Sequence, residues 1–220
     1  ILPDDPKHVR SMVETRRGTK GVLVSNHEYT NPNIMFDASY DAATRRAIER
    51  AAHGMSVVEV TRERTGAPWT YSRLAPLNRR IHMGTEFTVD GPAAGHDLMK
   101  TVADPTGTKV LGTLNNCSGG TTPWGTVVSG EENFHGYLRV NGIDPRDARY
   151  GLRDEATGYG WELDDPRFDG NNAGYANENH RFGWVVEVDP YDPTSAPVKH
   201  TALGRFKHEG ANVILAKDKR

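Results

Sequence analysis

The one cysteine of the 220 residues, Cys117, stands in the run Asn115-Asn116-Cys117-Ser118-Gly119-Gly120-Thr121-Thr122-Pro123-Trp124-Gly125-Thr126, and the carboxylate pair Glu131-Glu132 follows one short strand later. A lone thiol forms no internal disulfide, which leaves it three roles: small buried hydrophobe, nucleophile or metal ligand. Gly119 and Gly120 permit close backbone approach to an ion or a phosphate. As a thiolate, Cys117 selects a transition metal over calcium or magnesium. Two other places supply carboxylates, Asn26-His27-Glu28-Tyr29-Thr30-Asn31-Pro32 and His208-Glu209-Gly210. Hard carboxylates with one thiolate suit a mixed iron and calcium site, but each motif also reads as a turn or a solvated strand end. Successive side chains of an extended segment face opposite ways, so only one of Glu131 and Glu132 points into a given site. Asn116-Cys117-Ser118 fits a glycosylation sequon, a match short enough to be coincidence.

The elements that must position these residues are mostly strands. Twenty-three glycines and 13 prolines, with recurring β-branched and aromatic runs, describe a loop-rich β protein rather than a disordered chain. Strands are expected at Gly21–Val24, Ser56–Thr61, Phe87–Val89, Val110–Thr113, Gly125–Ser129, Tyr137–Val140, Trp184–Val188 and Lys199–Leu203. One helix is expected between Asp41, which can cap it, and His53, with Gly54 to end it. Asp144 to Arg181 is polar and too long for an ordinary connection, so it reads as a functional or surface excursion. Many short strands with regular turns suggest a sandwich, barrel or propeller, and no internal repeat chooses among them.

With 27 basic and 29 acidic residues the net charge is −2 and no basic stripe appears, which excludes a nucleic-acid partner. No apolar run is long enough to span a bilayer and no signal peptide is present, so no membrane insertion is expected. The length fits one domain or a piece of a larger one. The chain begins at Ile1 and stops at Lys217-Asp218-Lys219-Arg220, directly after an apolar run, so both ends read as cut.

Five ordered motifs resemble the PhoX-type bacterial alkaline phosphatases: Asn26 to Pro32, Asn115 to Thr126, Glu131-Glu132-Asn133-Phe134, Phe182-Gly183-Trp184-Val185-Val186-Glu187-Val188-Asp189-Pro190, and Gly204-Arg205-Phe206-Lys207-His208-Glu209-Gly210-Ala211. The resemblance covers nearly the whole chain. It implies an all-β, β-propeller-like fold with loop insertions, of which residues 1–220 would be part of a single domain. It further implies hydrolysis of small-molecule phosphate monoesters by a cluster of Fe3+ and Ca2+, with no catalytic group beyond a metal-bound oxygen. The metal ligands implied are Cys117, Glu131, Glu132, Glu209 and Glu28, with Asn115, Asn116 and Thr121 hydrogen-bonded around them. Lys207, Arg205 and His208, near Glu209, could assist phosphate binding or be surface charge. A monomeric, periplasmic or extracellular protein exported by the twin-arginine route is implied as well. Gly130 departs from the larger residue expected there. Family members are far longer, and their later ligands and phosphate-contacting arginine would lie beyond Arg220. A non-catalytic calcium-stabilised propeller and an inactive fragment therefore stand as alternatives.

Overall fold

The computed structural model describes residues 10–14, 18–142 and 144–217. Both ends of the chain, read above as cut, lie outside these residues. Eleven strands form two sheets among the described residues. The first contains β1 (Arg10–Glu14), β2 (Lys20–His27), β3 (Gly54–Thr61) and β4 (Thr70–Tyr71) in that order, with β5 (Arg79–Ile81) also paired to β3. The second contains β6 (Glu86–Asp90), β7 (Lys109–Leu111), β8 (Asn116–Thr121), β9 (Val127–Glu131), β10 (Val185–Val188) and β11 (Val198–His200). Its order is β7-β6-β11-β10-β9-β8, antiparallel throughout except where β11 runs parallel to β6. Strands β8 to β11 thus follow one another as an antiparallel meander. The fold is mostly β with few helices, and neither sheet closes into a barrel.

Among the described residues three α-helical segments accompany the sheets: α1 (Pro32–Met35), α2 (Ala42–Ala52) and α3 (Pro145–Ala148). Helix α2 is the one expected from the sequence. The Asp41 carboxylate accepts the Thr44 N–H at 2.9 Å and caps it. The next strand begins at Gly54, whose φ of 100° and contact with the Ile81 carbonyl leave no room for a side chain.

Three expectations about strands change. The Gly-rich run after Cys117 is not a turn but strand β8, because a Cβ at Gly119 would stand 1.8 Å from the Val128 carbonyl oxygen. Glycine is what lets β8 reach β9. Tyr137–Val140 is not a strand. It follows a 3-10 turn at Phe134–Gly136 and makes only isolated bridges from Arg139 to Arg153 and Asp169. The segment expected as strand Lys199–Leu203 splits into β11 and a 3-10 turn at Thr201–Leu203.

The polar stretch 144–181 opens on α3, continues into short 3-10 turns and sends Leu152, Trp161 and Phe168 into the core, each 1% exposed or less. It is therefore part of the packing, not a surface excursion. These side chains join Phe87, Phe134, Tyr137, Phe182, Val22, Val24, Val57, Val186 and Val188 in one hydrophobic cluster, to which both sheets contribute. Among the described residues, no helix is long and apolar enough to cross a membrane.

Candidate metal centre

β8 and β9 pair so that Asn116 stands opposite Glu131, and both side chains are fully buried. Alternation then turns their neighbours, Cys117 and Glu132, to the other face. A register shift between Asn116 and Gly119 bulges β8 at Cys117-Ser118, an irregularity of the kind that re-aims a side chain. Glu28 arrives from the first sheet, one residue past the end of β2. Asn26, near that end, ties the sheets together by donating its Nδ2–H to the Cys117 carbonyl at 2.8 Å. Cys117 Sγ and one carboxylate oxygen each from Glu28 and Glu132 come to lie within 4.8 Å of one another.

The electrostatics of this trio decide whether it suits a metal. Burial, then the charge of Glu28 and the hydrogen bond to Glu132, push the Cys117 thiol up to about 12. Without a cation it is a protonated thiol between two carboxylates, and its ionisation would add a third negative charge. A multivalent cation reverses that balance and deprotonates a coordinating thiol outright. Soft sulfur beside hard oxygens fits a transition metal with calcium as neighbour.

Asn115 positions two of the three groups. Its backbone carbonyl accepts the Glu132 N–H at 3.0 Å, and its Oδ1 accepts the Asn133 N–H at 2.6 Å. Its Nδ2 donates to the Glu28 carbonyl at 3.3 Å and to the Tyr137 hydroxyl at 3.0 Å. Its φ of 48° is left-handed, a conformation asparagine tolerates better than other side-chain-bearing residues.

Behind it, burial draws fully buried His53 down to about 4, so the imidazole is neutral at working pH. His53 Nδ1–H goes to the Glu49 carbonyl at 2.6 Å, which leaves Nε2 to accept the Tyr137 hydroxyl at 3.1 Å. Tyr137 is then free to accept from Asn115. Asn115→Gly keeps the left-handed backbone and removes only the amide. We expect it to lower metal affinity about 10–100-fold, as loss of groups that orient metal ligands does, while the melting temperature moves little. Equal loss of metal affinity and fold would show that Asn115 only stabilises.

The other sequence-derived residues are distributed as follows. Glu131, expected among the ligands, is turned away from the trio. Its Oε1 takes hydrogen bonds from Lys199 Nζ at 2.7 Å and Thr113 Oγ1 at 2.8 Å, and its Oε2 takes the N–H groups of Gly183 and Trp184. Asn116 shares that side and donates to Thr113 Oγ1 at 2.9 Å. Thr121 is exposed at the far end of β8. The Glu209 side chain is exposed and outside the trio, but its carbonyl accepts the Ser118 N–H at 2.7 Å, which lays residues 208–210 beside Cys117.

Arg205 is spent on the carbonyls of Phe182 and Asn179, and His208 Nε2 on that of Gly204. Of these three side chains near Glu209, Lys207 alone is exposed, with a histidine as its contact among the described residues. Sequence reasoning missed His53 and Tyr137, since an apolar–polar pattern around 137 carries no sign of a hydroxyl aimed at an asparagine.

Gly130 has a steric reason. A Cβ there would stand 2.2 Å from the His208 carbonyl oxygen and 2.8 Å from His208 Cβ. Gly130→Ala is expected to cost about 1–3 kcal/mol and to dislodge residues 206–210. Amide exchange at Ser118, whose N–H is bonded to Glu209, would accelerate well beyond that of β10, and unchanged exchange would remove the argument.

With this geometry, the comparisons with known proteins are decisive. The model of the alkaline phosphatase PhoX family matches residues 7–220. The chain belongs to the PhoX alkaline phosphatase family. It also superposes on Pseudomonas fluorescens PhoX in complex with vanadate, a transition state analogue, with a TM-score of 0.88 and 42% sequence identity. That match covers 96% of this chain and 37% of the PhoX chain. No curated protein sequence matches.

Proposed function

We propose that the protein is a metal-dependent phosphatase that releases inorganic phosphate from phosphate monoesters, with Cys117, Glu28 and Glu132 holding part of an iron–calcium cluster. The observation that carries this reading is the convergence of one buried thiol and two carboxylates from separate sheets in a chain of this family. The bound cations would supply positive charge against the phosphoryl oxygens as negative charge builds there.

The chain's own residues do the rest. Cys117 binds through sulfur and gives up its proton on loading, so it serves as a ligand and not as a nucleophile. Glu28 and Glu132 bring opposing carboxylates, and Asn115 fixes the backbones that carry them. Glu209, whose segment already lies beside Ser118, is a further ligand candidate once its side chain rotates inward; Glu131 is left as the buried partner of Lys199.

The chain spans 37% of the PhoX structure it matches, so activity is a property proposed for the whole protein. A β-propeller completed by residues beyond this chain is part of the same proposal, and the β8-to-β11 meander, which has the form of a four-stranded blade, supports it. So are a monomeric state and export to the periplasm or beyond. The test is elemental analysis of the protein extended past Arg220, with phosphate release measured on p-nitrophenyl phosphate. Iron with calcium and phosphate release support the reading, whereas calcium alone and no release leave a calcium-stabilised scaffold.

A further inference from the structure

Beside Glu132 the surface opens into a second feature that the trio does not explain. A cleft of about 460 Å³ lies between the turn that follows Glu132 and the loop at residues 151–158, within the ~300–1,000 Å³ typical of small-molecule sites. His135, three residues after Glu132, lines it together with Arg153 and Lys207. Lys207 donates to His135 Nε2 at 3.3 Å, which places the imidazole hydrogen on Nδ1, and that buried atom finds no acceptor.

The positive groups crowd one another. Burial, then the charges of Lys207 and Arg153, draw His135 below its ordinary value, while Glu132 pulls the other way. Neither Lys207 nor Arg153 has a carboxylate partner among the described residues. Glu155 also lines the cleft but forms no ion pair with them. Two unpaired cations converging on a cleft, with few apolar side chains beyond Leu138 and Ala156, make charge the source of any affinity there. The neighbouring carboxylates of the trio, by contrast, disfavour an anion until they are neutralised.

We propose that this cleft is a subsite for a second negative charge on the substrate. The ester phosphate would sit at the trio and an anionic group of the leaving alcohol between Arg153 and Lys207. The full protein would then favour phosphate monoesters of anionic alcohols over those of neutral ones. This rests on the phosphatase reading above.

The experiment compares kcat/KM for glucose 1,6-bisphosphate and glucose 6-phosphate in the protein extended past Arg220. The wild type is expected to prefer the bisphosphate about tenfold or more, a preference that weakens with added salt. In Arg153→Gln/Lys207→Gln the ratio falls toward one, and Lys207→Glu inverts it. Both side chains are exposed, so neither change empties the core. A wild-type ratio near one, or a ratio that survives both variants, overturns the subsite while leaving the phosphatase intact. No phosphate release from either ester by the wild type sinks the phosphatase reading itself, and the subsite with it.

Discussion

Cys117→Ser in the full-length protein is expected to abolish tight binding of the transition metal and to lower phosphate release by at least about a hundredfold, since losing even a group that only orients a ligand costs about 10–100-fold. The substitution changes one atom. Serine matches the buried volume, so the β8 bulge and the Asn26 bond to the residue 117 carbonyl persist, and the melting temperature of the metal-free protein should hardly move. What changes is the donor. A hydroxyl among carboxylates offers only hard oxygen, which suits calcium and does not hold iron as a thiolate does.

The high proton affinity of Cys117 adds a pH signature. Because burial and the two carboxylates push the thiol up to about 12, loading must displace a proton at any working pH. Apparent metal affinity therefore rises with pH in the wild type, and this slope shrinks by about one proton in the serine variant. Retention of iron and activity by Cys117→Ser would remove the thiolate from the site and favour a calcium-only scaffold.

Much of this site was legible because its chemistry is local in sequence. A single cysteine between asparagines and glycines, with two glutamates a strand later, already pointed to Cys117 and Glu132, two of the three side chains that come together. Which glutamate faces Cys117 was not legible. Strand alternation says that Glu131 and Glu132 diverge, but the direction depends on register, and the register is set by the bulge at Cys117-Ser118. The bulge lies directly before Gly119, whose missing Cβ lets β8 press against the Val128 carbonyl, and residue types alone do not announce so close an approach.

The same limitation hid β8 itself, since glycine lowers strand propensity and is chosen here for closeness. The polar stretch misled for the opposite reason. Three large side chains at 152, 161 and 168, each buried, fill the core from a segment whose average composition is that of a loop. His53 and Tyr137 could be linked to Asn115 only once α2 and the turn after Phe134 were placed together.

The buried pair behind the site yields the largest expected effect on stability. Lys199 and Glu131 have fully buried side chains, and their Nζ–Oε1 distance is 2.7 Å. Desolvation lowers the proton affinity of the Lys199 ammonium, opposed by the charge of Glu131; its other contacts are the Arg181 carbonyl at 3.1 Å and the Phe182 ring, 4.1 Å to the centroid. Lys199→Met keeps the apolar stem but strands a carboxylate in the core. The expected cost is about 3–5 kcal/mol, a large share of the ~5–15 kcal/mol that holds a typical domain. Adding Glu131→Gln to that variant should recover much of the loss, because an amide can still accept from Thr113 and from the Gly183 and Trp184 N–H groups without needing a counterion.

Denaturant unfolding of the wild type, both single variants and the double variant closes the cycle. A coupling of a few kcal/mol identifies the pair as a clamp that holds β9 to β11 across β10, and so steadies the strand end that presents Glu132 beside Cys117. Coupling near zero would mean that Glu131 is held by its backbone donors alone. Its adjacency to Glu132 would then have no bearing on how that residue is placed.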